Sequence, residues 1–96
     1  MMILVTYDVD TSDAAGAKRL RRVAKTCERY GVRVQNSVFE VLVTPAQLVT
    51  LKSELEGVIC AEKDSVRLYR LGKNYLNRVD TIGKSPLVEA GKELMF

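Results

Sequence analysis

Histidine and tryptophan are absent from the 96 residues, and only two cysteines are present. Without histidine there is no Ser-His-Asp or Cys-His nucleophilic machinery, no imidazole-bound zinc and no imidazole general base. Hydrolytic chemistry must then rest on carboxylates, hydroxyls, lysines or a metal ion held by oxygen ligands. Cys27 and Cys60 are far apart and each sits among helix-pattern apolar residues. Both therefore read as buried free thiols rather than as a disulfide or a metal pair. No apolar run approaches the roughly 20 residues that span a bilayer, and no basic segment leads into a signal core. The expectation is a cytoplasmic protein with no membrane partner.

Hydrophobic residues make up 47% of the chain and charged residues 28%, which describes one compact domain with a single core. So small an interior leaves little room for an enclosed pocket, so a site on an open face or at a subunit interface is expected. The net charge of +3 is modest but unevenly placed, because Lys18, Arg19, Arg21, Arg22 and Lys25 fall within eight positions. A local positive field suits a polyanion. An ordinary solvated helix face is the alternative.

The stretch MILVTYDVD, Met2 to Asp10, is the first organising element. Ile3, Val5, Tyr7 and Val9 share one side of a strand, and Met2, Leu4, Thr6, Asp8 and Asp10 the other. Both sides begin apolar, which predicts a central strand covered on both faces. A carboxylate at the end of such a strand is costly to desolvate unless a cation, a proton or N–H donors meet it, so Asp8 is the leading candidate for function. The plainer reading is that Asp8 ends the strand and opens the turn.

Thr11, Ser12 and Asp13 offer N-caps for a helix over Ala14 to Tyr30, with Leu20, Val23, Ala24, Cys27 and Tyr30 as its buried stripe and Gly31 as its stop. Val32 to Val43 is rich in β-branched residues and splits at Asn36-Ser37 into a hairpin, Asn36 tolerating the positive φ of a tight turn; one unbroken strand is the alternative. Phe39, Val41 and Val43 share a face, and Glu40 is the odd member of the other. Thr44, Pro45 and Gln47 form a capping box with proline at the first helical position. That helix runs to about Glu56, carries Leu48, Leu51 and Leu55, and ends at Gly57. Val66 to Leu71 alternates as a final strand, Gly72 to Asn77 is a loop, and Arg78 to Ile82 is a candidate extra strand.

Strand, helix, strand, strand, helix, strand is the order of an α+β ferredoxin-like βαββαβ sandwich, with both helices on one face of a four-stranded antiparallel sheet. The uncovered second face predicts a homodimer with the two sheets facing each other. With its own sheet complete, the extra C-terminal strand would pair with the partner's edge. Residues 1–82 are thus the domain, and residues 83–96 a tail, in which Leu94, Met95 and Phe96 either dock on the partner or stay loose.

Tyr7-Asp8-Val9, Arg22-Val23-Ala24 and the run Arg33-Val34-Gln35-Asn36-Ser37-Val38-Phe39-Glu40 together resemble the small CRISPR-associated protein 2 family. Leu71 to Tyr75, LGKNY, is similar to members of one bacterial subtype, and the resemblance covers about Met1 to Ile82. It implies a CRISPR adaptation protein: a ferredoxin-like homodimer that is a metal-dependent endonuclease on RNA or DNA phosphodiesters and joins the CRISPR integrase subunit in adding spacer DNA to the array. Asp10 stands where members vary, and no role is carried over to it.

On that resemblance, Asp8 is the catalytic and metal-binding residue. A two-fold axis brings two copies of Asp8 together, and the repelling pair takes up Mg2+, or Mn2+, more readily as pH rises. Two aspartates, waters and a phosphate oxygen satisfy octahedral magnesium. Arg22 and Arg33 are phosphate contacts, with surface salt partners as the alternative, and Lys18, Arg19, Arg21 and Lys25 track the backbone without reading bases. Tyr7 and Phe39 are supporting residues, with a place in the core as the favoured alternative. Two further readings stand beside the enzyme: a non-catalytic nucleic-acid-binding scaffold of the integrase complex, and a toxin-like ribonuclease or small-molecule regulatory domain of the same fold.

Overall fold

The computed structural model describes residues 1–83. The expectations for the tail beyond them lie outside the described residues. Six elements follow in the anticipated order: β1 (Met2–Asp8), α1 (Ala14–Glu28), β2 (Gly31–Gln35), β3 (Val38–Leu42), α2 (Pro45–Val58) and β4 (Ser65–Gly72). The strands form one antiparallel sheet in the order β2-β3-β1-β4, so β1 is central. This is the ferredoxin-like α+β arrangement. Each helix joins two non-adjacent strands and packs on the same sheet face.

Alternation along β1 decides what that face contains. Ile3, Val5, Tyr7 and Val9 are buried and meet Phe39, Val41 and Val43 from β3 and the residue beyond it. From the helices, Val23, Ala24 and Cys27 of α1 and Leu48, Leu51 and Leu55 of α2 close the core. The stripes anticipated for both helices are those that pack, with Leu20 and Tyr30 at the rim. Leu4 and Thr6, on the other side of β1, are half-buried, and Leu42 at the end of β3 is 59% exposed.

Local chemistry sets the helix starts. Asp13 caps α1 by accepting the Gly16 N–H at 2.8 Å. Thr44 accepts the Gln47 N–H at 3.1 Å while the Gln47 side chain accepts the Thr44 N–H at 2.9 Å, the reciprocal box expected of that spacing. The helix ends differ from expectation. Gly31 does not stop α1, which ends at Glu28; Gly31 opens β2, where a Cβ would lie 2.0 Å from the Glu40 carbonyl oxygen. Its lack of a side chain therefore serves strand approach rather than helix termination. Gly57 lies inside α2, which continues to Val58.

The hairpin forms at Asn36-Ser37, with Gln35 opposite Val38. Among the described residues only glycines have positive φ, so Asn36 does not adopt the left-handed conformation expected of it. The register slips between Arg33 and Gln35 instead, and such a bulge adds the twist that the turn would otherwise provide. Arg78 to Ile82 forms no strand in the isolated chain. A short 3₁₀ turn, Tyr75–Asn77, precedes it and Ile82 is fully exposed. The extra strand expected of this segment is therefore absent among the described residues, although β2 and β4 are both edges of the sheet.

Candidate nucleic-acid and metal site

Asp8 is the last residue of β1, pairs with Ser65 of β4 and is exposed. By alternation it stands on the sheet face turned away from the helices, in line with Leu4 and Thr6. Its carboxylate makes no hydrogen bond or ion pair with any described residue, which leaves its lone pairs available to a cation. Among the described residues, no three acidic or thiol side chains of one chain are gathered as a metal cluster. One chain therefore offers one carboxylate at this position, compatible with a hydrated Mg2+ where a second copy or a substrate phosphate adds further oxygens.

Tyr7 and Phe39 belong to the core. Phe39 is fully buried and Tyr7 is 6% exposed, with ring centroids 6.2 Å apart. The Tyr7 hydroxyl donates to the Asn36 carbonyl at 3.2 Å, and its N–H donates to the Ser37 carbonyl at 3.1 Å. Desolvation raises its phenol above the ordinary value, with Arg33 partly opposing. Tyr7 thus ties the hairpin turn to the end of β1 beside Asp8, and its hydroxyl is engaged by backbone.

The five basic residues of α1 divide into two groups. Lys18, Arg21, Arg22 and Lys25 are exposed. Arg22, Lys25 and Arg29 border an open groove of about 750 Å³ between α1 and α2, with Ser53 and Glu54 on its other side. Arg19 is placed differently: its side chain is 16% exposed, and its Nε donates to Asp64 Oδ2 at 2.8 Å. Arg33 stands on β2 with its guanidinium 5.3 Å from the Phe39 ring centroid and 3.7 Å from Glu28 Oε1, half in solvent.

Asp64 is the residue that sequence reasoning missed. Its side chain is fully buried and accepts from the Asp10 N–H at 3.0 Å, the Cys60 N–H at 2.8 Å and Arg19. The Arg19 guanidinium, followed by the backbone donors, holds its carboxyl down at about 2. A lone acid before a strand carries no signal in the sequence, because its three partners come from separate segments. Arg29 and Tyr30, both bonded to Glu54, similarly tie α1 to α2. Glu40 is buried on the sheet face that carries Asp8, and desolvation raises its carboxyl above the usual range.

Cys27 is fully buried and desolvation pushes its thiol up to about 11, whereas Cys60 lies half-buried in the connection after α2, outside either helix. A raised folded pKa means that Cys27 favours folding below the unfolded thiol value and that this contribution is lost as pH rises through about 11. Iodoacetamide at pH 8 is expected to modify Cys60 first, leaving Cys27 intact until the protein opens. Peptide mass mapping over time checks the order, and equal rates would contradict the burial of Cys27.

Fold and site together define a small ferredoxin-like protein with an unpaired acid ending its central strand and a basic stripe on its first helix. Residues 1–79 match the family described as CRISPR associated protein Cas2, and the chain belongs to that family. It is 54% identical over 96 residues, 100% of both chains, to the CRISPR-associated endonuclease Cas2 of Halalkalibacterium halodurans. A crystal structure of Streptococcus pyogenes Cas2 at pH 6.5 superposes with a TM-score of 0.79 and 59% identity, covering 86% of this chain and 100% of that one. A chain of a partial Cas6-RT-Cas1–Cas2 complex is similar at a TM-score of 0.67 and 29% identity, covering 90% of this chain and 94% of that one. No helix of the described residues is long and apolar enough to cross a membrane.

Proposed function

We propose that the protein is a CRISPR adaptation nuclease that hydrolyses RNA or DNA phosphodiesters as a homodimer, through Asp8 and a divalent cation, and that it assembles with the integrase subunit. The observation that carries this reading is the unpaired Asp8 carboxylate at the end of the central strand, on the face the helices leave uncovered. Leu42 and Tyr69, 59% and 43% exposed in the single chain, together with half-buried Leu4, Val32, Val34 and Val38, give that face the apolar content of a subunit contact. A two-fold axis through it turns one acid into two. Mg2+ or Mn2+ held there would polarise the scissile phosphate and lower the pKa of a bound water. Asp8 of each subunit would provide an oxygen ligand, and the hairpin turn bonded to Tyr7 keeps the strand end in place. Relatives named as endonucleases, and the Cas1–Cas2 complex among the similar structures, support the activity and the partner.

Lys18, Arg21, Arg22 and Lys25 lie on the helix layer and follow a phosphate backbone through charge alone. Their placement away from Asp8's sheet face favours the second reading as well, a scaffold that holds duplex DNA for the integrase without cutting it. An Arg22→Gln dimer is expected to bind every sequence more weakly, with a slope of log affinity against log salt shallower by about 2, roughly one for the phosphate that each subunit no longer neutralises. Salt-titrated fluorescence anisotropy reads this; an unchanged slope removes Arg22 from the interface.

Cleavage of single-stranded RNA, single-stranded DNA and duplex DNA, measured over a Mg2+ and Mn2+ titration on protein whose mass is fixed by light scattering, tests the enzyme. Turnover by the dimer that chelation stops supports it. Metal-independent cleavage, or none on all three substrates, overturns the nuclease reading, and a monomeric mass overturns the shared site.

A further inference from the structure

The strand end that presents Asp8 is anchored by a second acid. Two residues beyond Asp8, both polar groups of the Asp10 backbone are engaged: its N–H donates to Asp64 Oδ1 at 3.0 Å, and its carbonyl accepts from Arg19 Nη2 at 3.4 Å. Asp64 Oδ2 accepts Arg19 Nε and the Cys60 N–H, both at 2.8 Å. Three separate segments therefore converge on one buried carboxylate: the turn after β1, the middle of α1 and the connection from α2 to β4. Across the ladder, the residue that follows Asp64 is Ser65, the partner of Asp8. Asp64 is thus bound to the chain on both sides of Asp8, along the backbone and across the sheet.

Gly16 tightens the same point. A Cβ there would sit 1.8 Å from the Asp10 carbonyl oxygen, so the first turn of α1 rests directly on the group that Arg19 holds. An ion pair this buried recovers little net stability over apolar packing, because both charges are taken from water. What the fork of a guanidinium does supply is direction: Nε and Nη2 address two acceptors at fixed angles, which a lysine ammonium does not reproduce.

We propose that Arg19 and Asp64 are positioning residues that fix the turn after β1 and thereby aim the Asp8 carboxylate toward its divalent cation. This rests on Asp8 being the metal ligand. It also removes Arg19 from the phosphate-tracking stripe, since its Nε and Nη2 are already engaged inside the fold. Outer groups that orient a ligand commonly set metal affinity within 10–100-fold, and a loss of roughly 10-fold is the effect expected here.

The test measures Mn2+ binding to the full-length protein by electron paramagnetic resonance, a readout independent of turnover, for wild type, Asp8→Asn, Arg19→Lys, Arg19→Gln and Asp64→Asn. Circular dichroism and light scattering report fold and mass for each. In the expected result Asp8→Asn abolishes the bound signal. Arg19→Lys and Arg19→Gln both raise the half-saturating Mn2+ concentration by roughly 10-fold while single-stranded and duplex DNA affinities stay at wild-type values. A purely structural role lowers the folded fraction and the binding amplitude together and leaves half-saturation unchanged, which overturns the proposal. So does a fall in nucleic-acid affinity with unaltered Mn2+ binding, the behaviour of a phosphate contact. Should Asp64→Asn fail to fold, the two Arg19 variants carry the decision. If wild type shows no Mn2+ site that Asp8→Asn removes, the metal reading of Asp8 falls and the positioning role with it. If that site exists and the Arg19 variants match wild type, only the positioning role falls.

Discussion

An Asp8→Asn protein is expected to fold, to keep its dimeric mass, and to cleave nucleic acid on the order of 100-fold more slowly or worse, the scale on which losing one preorganised charged element slows an enzyme. The substitution preserves shape and removes the charge, and with it the metal ligand of the proposed site. Asp8 is exposed, without a described partner, and its β-ladder contacts to Ser65 run through backbone, so stability is expected to shift by no more than about 0.5 kcal/mol. In the proposed dimer the effect on catalysis would be larger, because one codon removes both acids. Single-turnover cleavage alongside thermal unfolding checks the separation of the two effects. Retained cleavage by Asp8→Asn refutes a catalytic role for Asp8. Integration of spacer DNA measured on the same protein divides the two readings, because a scaffold loses nothing with this acid whereas a required nuclease loses both activities.

The largest effect on stability is expected from Phe39→Ala. Phe39 is fully buried on β3, opposite Val5 of β1 and Arg33 of β2, and its ring packs on Tyr7. Deleting such a ring costs about 3–5 kcal/mol in transfer energy and cavity formation, with little scope for collapse between two strands fixed by the ladder. Domains of this size are held by about 5–15 kcal/mol in total, so the variant is expected to sit near the edge of folding. A midpoint lower by about 15 °C or more follows from the usual entropy of unfolding. Protein concentration must be equal in both samples, since the proposed association would contribute to the apparent midpoint. A destabilisation below about 1 kcal/mol would show that Phe39 is not the packing centre, because a ring with real neighbours cannot be deleted so cheaply. Tyr7, whose hydroxyl pins the hairpin turn, would then part from its ring neighbour at no cost, contrary to their stacking.

Element order and the inward-facing side of nearly every element are legible in the amino-acid sequence alone. They follow from short-range periodicity: alternation in β1, the Val23-Ala24-Cys27 stripe, and the Thr44-Pro45-Gln47 cap each state their geometry within a few residues. The position of Asp8 at the end of a central strand is legible in the same way, because two apolar faces ending in an acid are visible locally. So is the motif around Tyr7 and Phe39, although the bond from Tyr7 to the Asn36-Ser37 turn is not.

Which of five neighbouring cations is committed inside the fold emerges from the packing. Arg19 and Arg22 look alike on a helix wheel, and what separates them is Asp64, 45 residues away from Arg19, arriving by the α2–β4 connection. Gly31 and Gly57 show the same limit. A glycine after a helix pattern reads as a stop, yet one is required by the carbonyl of a facing strand and the other lies within the helix. Local pattern fixes which way a side chain points along its own element, whereas its partner depends on loop closure and packing between distant segments, which no window of a few residues contains.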